Sequence, residues 1–335
     1  SVKSRIAETR AQRFLTATDK QNNLPVPLRY YAAHTGRFGG TEKLNLQNLP
    51  RDSELRQCLT APDNQLLFVA DLSNIEARLL AHVARQDNLL QQYASGEDIY
   101  CNFASRIFNK PINKENNPLE RFIGKTAILG LGYGMGAKKF MLTLPDEAKI
   151  NLKQSIDIVQ KYRNAHPNIP ILWGRMQELL LQSLHRDNYG VNYGKFLTIG
   201  KNSFQLPNGM RLYYHKLQVD IKNNLEYISG NRTEKTWGGR ITENVIQALA
   251  RLIMTDSVLR LSESLPIGRV ALTAHDELVI VASDKDPEKT MEHILRDLCK
   301  PPSWAPDLPL AAEGGYDTAY GKLDGFTYSN GTFST

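Results

Sequence analysis

The sequence predicts an α+β chain, with one antiparallel sheet carrying acidic residues at its strand ends and a long helical insertion interrupting it. Three patterns lead to this reading. An apolar run, Leu66 to Ala70, ends at Asp71 and is followed by apolar residues at helical spacing from Ile75 to Arg85, which reads as strand, turn and helix. Two short β-rich runs, Arg269 to Ala274 and Leu278 to Ala282, flank His275, Asp276 and Glu277 as a tight hairpin. Between them, Pro145 to Ser183 is largely helical in pattern.

The remaining elements follow in order. Leu119 to Tyr133 reads as a helix of about four turns, with Pro118 just before it and Gly132, Gly134 and Gly136 as its stop signal. Tyr189 to Tyr227 mixes turn residues with short strand-like runs such as Met210 to Tyr214, and Thr242 to Glu263 is again helical. No internal repeat, low-complexity tract or clear linker divides the chain.

At 335 residues the chain is expected to form about two domains, or one with a large insertion. With 41% hydrophobic and 23% charged residues, it has no apolar run near the ~20 residues a membrane span needs, so no membrane partner is expected. No signal-peptide pattern opens it. Cys58, Cys101 and Cys299 are odd in number and lack metal-ligand spacing, which fits reduced, buried thiols inside a cell. A net charge of +6 favours a polyanionic partner, although the charge is scattered along the chain.

Taken singly, Asp71 and Asp276 read as turn or cap residues. Taken together, two carboxylates converging on one sheet can hold two divalent ions about 4 Å apart for phosphoryl transfer, and such oxygen ligands suit Mg²⁺. On the helix from Arg121, the residues Arg121, Lys125, Leu129 and Tyr133 advance about 40° per step and span about 18 Å on one broad face. Its two cations could grip a triphosphate, with Leu129 and Tyr133 offered to a base. By itself this helix reads first as a solvated basic turn leading into a core-facing stripe. Gly124, Lys125 and Thr126 are not a P-loop, because Leu119 stands where its first glycine belongs and no strand leads in. The glycines from Gly130 to Gly136 close a helix, whereas a dinucleotide fingerprint opens one.

Three ordered segments carry a resemblance. DLSNIEAR (Asp71 to Arg78), RFIGKTAILGLGYG (Arg121 to Gly134) and AHDELVI (Ala274 to Ile280) resemble motifs A, B and C of the family A, pol I type, DNA polymerases. TGRFGG and NLQNLPR, within Thr35 to Arg51, resemble the family's approach to the palm, and WGGRITENVIQALAR, Trp237 to Arg251, is most similar to its phage and prophage branch.

This resemblance implies a right-hand polymerase fold, with palm at 1–85 and 226–335, fingers at 86–225, and a thumb remnant at the N-terminus. It implies DNA synthesis from dNTPs on primer-template DNA with two Mg²⁺ ions, Mn²⁺ being able to substitute, in the cytoplasm of a bacterial or phage-infected cell. Asp71, Asp276 and the Leu72 carbonyl match the metal-binding positions, and Glu277 a nearby acidic helper. Glu76 matches the gate against a ribose 2′-hydroxyl, Arg121 and Lys125 the triphosphate ligands, and Tyr133 the ring beside the templating position. Arg37, Asn45, Gln47, Asn48, Asn244, Gln247 and His275 fall where the family contacts DNA, and polar side chains there can follow minor-groove acceptors common to A·T and T·A pairs.

The chain departs from the family's pattern at Leu129, where Phe or Tyr is usual, at Phe122, where a second basic residue is usual, and at Tyr100, where His is common. Asn244 and Gln247 are three apart rather than four. Most of the thumb and any exonuclease are expected upstream of Ser1, or on a second chain. The rival readings are a catalytically incomplete DNA-binding fragment that needs such a segment, and a single-subunit RNA polymerase, which Glu76 and the HDE of motif C disfavour.

Overall fold

The computed structural model describes residues 2–50, 53–265, 268–321 and 323–335, so Arg51 of the NLQNLPR segment lies outside the described residues. The contacts divide the chain into two compact units, one of residues 1–73, 251–300 and 310–335, the other of 74–250 and 301–309.

The first unit is built on a six-stranded sheet, all of whose neighbouring strands run antiparallel. Its order is Gly268–Ala274, Glu277–Ser283, Gln65–Leu72, Ala311–Asp317, Phe326–Ser329 and Thr332–Ser334. The apolar run at 66–70 is central and covered on both faces, which is why it reads as nearly continuous hydrophobicity rather than alternation. Leu67 and Val69 pack with Val279, Val281, Leu46 and Tyr320 on one face. Phe68, Ala70, Leu278 and Ile280 occupy the other face and are fully buried. The helix Pro287–Leu298 packs on this sheet, with Pro287 in its first turn and Met291, Ile294, Leu295 and Leu298 forming one buried stripe at helical spacing.

The expected hairpin is present, but tighter than the sequence implied. Glu277 belongs to the second strand, where it pairs with Ala274, so the connection is only His275 and Asp276. His275 takes a left-handed backbone, φ 59°, a region in which His is among the tolerated residues.

The second unit is mainly helical and also contains two small antiparallel sheets. Asn74, with φ 56°, turns the chain sharply into the helix Ile75–Ala84, which Arg85 closes in the same left-handed region. The helix Pro118–Leu131 takes Pro118 into its first turn and ends at Leu131, capped by Gly132, two residues earlier than its apolar pattern suggests. Tyr133 therefore lies beyond the helix rather than on its face. Gly132 and Gly134 serve packing. The Gly132 carbonyl accepts from the Trp173 indole at 2.9 Å, and a Cβ at Gly134 would lie 2.2 Å from the Trp237 ring.

Gly124 is likewise a packing glycine, since a Cβ there would sit 2.3 Å from the Tyr100 carbonyl oxygen where the helices Ile99–Phe108 and Pro118–Leu131 cross. The helix Leu152–Ala165 opens with a capping box between Asn151 and Gln154. Of the three thiols expected to be buried, Cys101 is, Cys299 is partly covered, and Cys58 is exposed because it caps the one-turn helix Glu54–Gln57 at the surface. Among the described residues no helix is long and apolar enough to cross a membrane.

Candidate active site

In the first unit the sheet register assembles the acids. Asp71 is the penultimate residue of the central strand and pairs with Glu277 on one side and Glu313 on the other. The Leu72 amide donates to the Asp276 carbonyl at 3.0 Å. That bond fastens the end of the Asp71 strand to the hairpin turn and sets Asp71 and Asp276 on neighbouring backbones. Both are partly accessible. Among the described residues no group of three or more His, Cys, Asp or Glu side chains forms a metal cage. The donors these residues could offer are hard oxygens, the Asp71 and Asp276 carboxylates and the Leu72 carbonyl, a set whose chemistry would suit Mg²⁺ completed by water and phosphate oxygen.

Glu277 has a different environment. Its carboxylate is buried and accepts from Arg56 Nη2 at 2.9 Å to each oxygen and from the Tyr320 hydroxyl. Arg56 also lies 3.7 Å over the Tyr320 ring. No sequence signal marks Glu313 or Arg56. Strand alternation at Glu313 offered no signal, and Arg56 is distant in sequence from its partner.

Of the expected DNA-contact residues of this unit, Asn45 and Gln47 are tied into the approach to the hairpin. Asn45 caps the short turn Leu46–Asn48 by accepting from the Gln47 amide at 3.1 Å. Gln47 then donates to the Thr273 carbonyl at 2.8 Å, tying the turn to the motif C strand. Asn45, Asn48 and His275 are exposed, and Arg37 is half-buried. Near Arg37 is a feature that spacing did not reveal: the buried Arg251 guanidinium lies 5.3 Å from the rings of both Tyr30 and Phe38.

In the second unit Arg121, Lys125 and Leu129 do share the accessible side of their helix, while Ile123, Ala127, Ile128 and Leu131 face the core. Arg121 Nε donates to Asp98 Oδ2 at 2.7 Å. Burial would raise the Asp98 pKa, but the Cys101 amide and the Arg121 guanidinium outweigh it and hold the carboxyl below its ordinary value. The Tyr100 ring lies 5.3 Å from the Arg121 guanidinium and 5.8 Å from the Lys125 ammonium, so the aromatic replacing the usual His supports both cations. The Tyr100 hydroxyl bonds to Asn74 Oδ1.

Tyr133 and Glu76 belong to one electrostatic neighbourhood. Burial first, then the charges of Glu76 and Glu243, push the Tyr133 hydroxyl well above its ordinary pKa. Glu243, Asn244 and Gln247 form the accessible stripe of an otherwise buried stretch of the helix Gly238–Ser264. Asn244 donates to the Tyr214 hydroxyl at 3.3 Å, and Gln247 to Glu243 at 3.3 Å. Their spacing of three thus places them on one side, as four would.

The sequence profile of DNA polymerase family A matches residues 4–322. This chain belongs to DNA polymerase family A. The family A chain is 27% identical over 379 residues to a DNA polymerase of Bacillus phage SP02, covering 96% of this chain and 57% of the phage protein. It is 27% identical over 303 residues to the thermostable DNA polymerase I of Thermus thermophilus, covering 88% of this chain and 32% of that protein. A solved structure described as the POL domain of Pol1 from M. smegmatis, in complex with DNA primer-template and dNTP, superposes with a TM-score of 0.72 at 21% identity, covering 95% of this chain and 52% of that one. The α+β right-hand polymerase fold is therefore shown for this family A chain, which spans little more than half, or less, of these relatives' length.

Proposed function

We propose that this chain catalyses template-directed DNA synthesis, transferring deoxynucleotides from dNTPs to a primer 3′-hydroxyl. The observation that carries the reading is the 3.0 Å bond from the Leu72 amide to the Asp276 carbonyl, which holds the motif A and motif C aspartates on adjacent backbones.

In this reading Asp71, Asp276 and the Leu72 carbonyl would hold two Mg²⁺ ions, with Mn²⁺ able to substitute. When bound, such ions activate the hydroxyl and stabilise the leaving oxygen. The primer 3′-oxygen forms a bond to the α-phosphorus, the bond to pyrophosphate breaks, and the hydroxyl proton passes to water. Arg121 and Lys125 hold the triphosphate, and Lys125, a mobile ammonium, carries positive charge to the departing pyrophosphate. Arg121 exchanges its bond to Asp98 for phosphate, and the Tyr100 ring keeps both cations in place meanwhile. Glu76 closes the space a 2′-hydroxyl would need, Tyr133 flanks the templating position, and Leu129 presents an apolar surface to the nucleotide.

Arg37, Asn45, Gln47, Asn48, His275, Asn244 and Gln247 are assigned to primer and template. Glu277, fully occupied by Arg56 and Tyr320, is a positioning residue for the Asp71 strand. The functional division is palm at 1–85 and 226–335 and fingers at 86–225.

The test is primer extension by this chain with Mg²⁺ and the four dNTPs at low salt. Addition of templated deoxynucleotides supports the reading. Binding of primer-template without any extension would favour the rival of a DNA-binding portion that needs a further segment or chain.

A further inference from the structure

The small four-stranded sheet of the second unit contains a site that the proposed chemistry does not use. Its strands are Asn192–Tyr193, Leu197–Gly200, Ser203–Gln205 and Arg211–Tyr213. One face, with Ile199, Phe204 and Leu212 in register, is buried. The other aligns Thr198, Gln205 and Arg211 in one cross-strand row and Gly200, Ser203 and Tyr213 in the next. Gly200 and Ser203 are small and buried, so they form the floor of a cavity of about 400 Å³.

The cavity is furnished with cations and rings. Arg211 donates to Gln205 Oε1 at 2.9 Å, and its guanidinium lies against Gly200, in the space that a Cβ there would take. Lys201 is exposed at the rim. Tyr213, 47% exposed, stacks on His215 with centroids 5.6 Å apart and planes 8° from parallel, leaving an aromatic face open to solvent. Residues 185–217 contain five Lys or Arg and a single acid, a net +4 within a chain whose whole excess is +6. This stretch thus carries a local excess of positive charge around the sheet.

An open aromatic face beside a cavity furnished with cations is the chemistry that binds unpaired nucleic acid, the rings stacking bases and the cations meeting phosphates. We propose that this face binds single-stranded DNA, with a base on Tyr213 and phosphates at Arg211 and Lys201. The choice of DNA over RNA, and of the unpaired template as its source, rests on the proposed function. The site itself rests on the sheet.

The experiment is fluorescence anisotropy of the whole chain with labelled oligothymidylate at several salt concentrations, without dNTPs. Tyr213→Ser should weaken binding about fivefold or more, whereas Tyr213→Phe, which keeps the stacking face, should bind as the parent does. Lys201→Gln should lower the slope of log affinity against log salt by about 0.7, one phosphate contact on a single strand. Unchanged affinity in Tyr213→Ser, equal losses in both Tyr213 variants, or an unchanged slope in Lys201→Gln would overturn the proposal.

A second arm compares extension of a primer whose template overhang is one nucleotide with extension on a long overhang. Tyr213→Ser should match the parent on the short overhang and fall behind on the long one, and equal behaviour on both would refute the template as the source. Absence of extension by the parent chain would count against the polymerase reading alone, because oligothymidylate binding is measured separately.

Discussion

Arg56 grips Glu277 from a single nitrogen, Nη2 lying 2.9 Å from each carboxylate oxygen, in a pair buried beneath the motif C strand. The two residues are 221 positions apart, so this contact joins the N-terminal approach of the chain to the strand that pairs with Asp71. Arg56→Met should destabilise the chain by about 3–5 kcal/mol, because it leaves a buried carboxylate without its counter-charge. Arg56→Met combined with Glu277→Gln should recover part of that loss, since no unpaired charge is then left behind. Urea unfolding measures both, and a single mutant as stable as the parent would show that the pair does not hold the strand.

Asp71→Asn and Asp276→Asn should each lower single-turnover extension by at least about 10³-fold, the several kcal/mol that a metal ligand contributes to phosphoryl transfer. The fold should remain, because both side chains stand at the sheet's accessible end rather than in its core. Extension rates measured alongside thermal melting decide the matter, and near-parental rates in either variant would remove the two-ion assignment.

Glu76→Ala should raise the ribonucleotide share of incorporation by about tenfold or more, as removing a steric block of one or two kcal/mol allows. The side chains proposed for the metals and the triphosphate are unchanged in this variant, so deoxynucleotide use should change less. Because Glu76 also bears on the Tyr133 hydroxyl, Tyr133→Phe is the companion variant, and it should leave the discrimination largely intact. The measurement is the ratio of kcat/KM for ribo- and deoxynucleotides. An unchanged ratio in Glu76→Ala would make this glutamate a surface residue and nothing more.

His166 should make the chain sensitive to mild acid. It is buried against Phe103 and Tyr162, and burial, with Arg106 adding to it, pushes its pKa down from 6.5 to about 4. The unfolded chain then binds the proton more readily than the folded one. The folded state keeps its full stability above pH 6.5 and loses it progressively as pH falls towards about 4, by up to about 3 kcal/mol. Urea unfolding at both ends of that window, in the parent and in His166→Gln, isolates the effect. The same pH dependence in both proteins would assign the loss to other groups.

The local elements of the site could be read from the sequence because their signals are local. The apolar run before Asp71, the helical spacing after it and the two β-rich runs around Asp276 each reflect hydrogen bonding or burial between near neighbours. The accessible row of Arg121, Lys125 and Leu129 also followed from helical period alone. Tyr133 did not, since the helix ends at Leu131, capped by Gly132, where Trp173 and Trp237 from remote segments set the exit.

What only the tertiary structure decided is how distant pieces meet. Pairing of Asp71 with both Glu277 and Glu313, enclosure of Glu277 by Arg56 and Tyr320, and the place of Arg251 beside Tyr30 and Phe38 all join segments far apart in the chain. Strand register and buried side-chain partners are chosen by packing across the whole core, and no local periodicity encodes that choice.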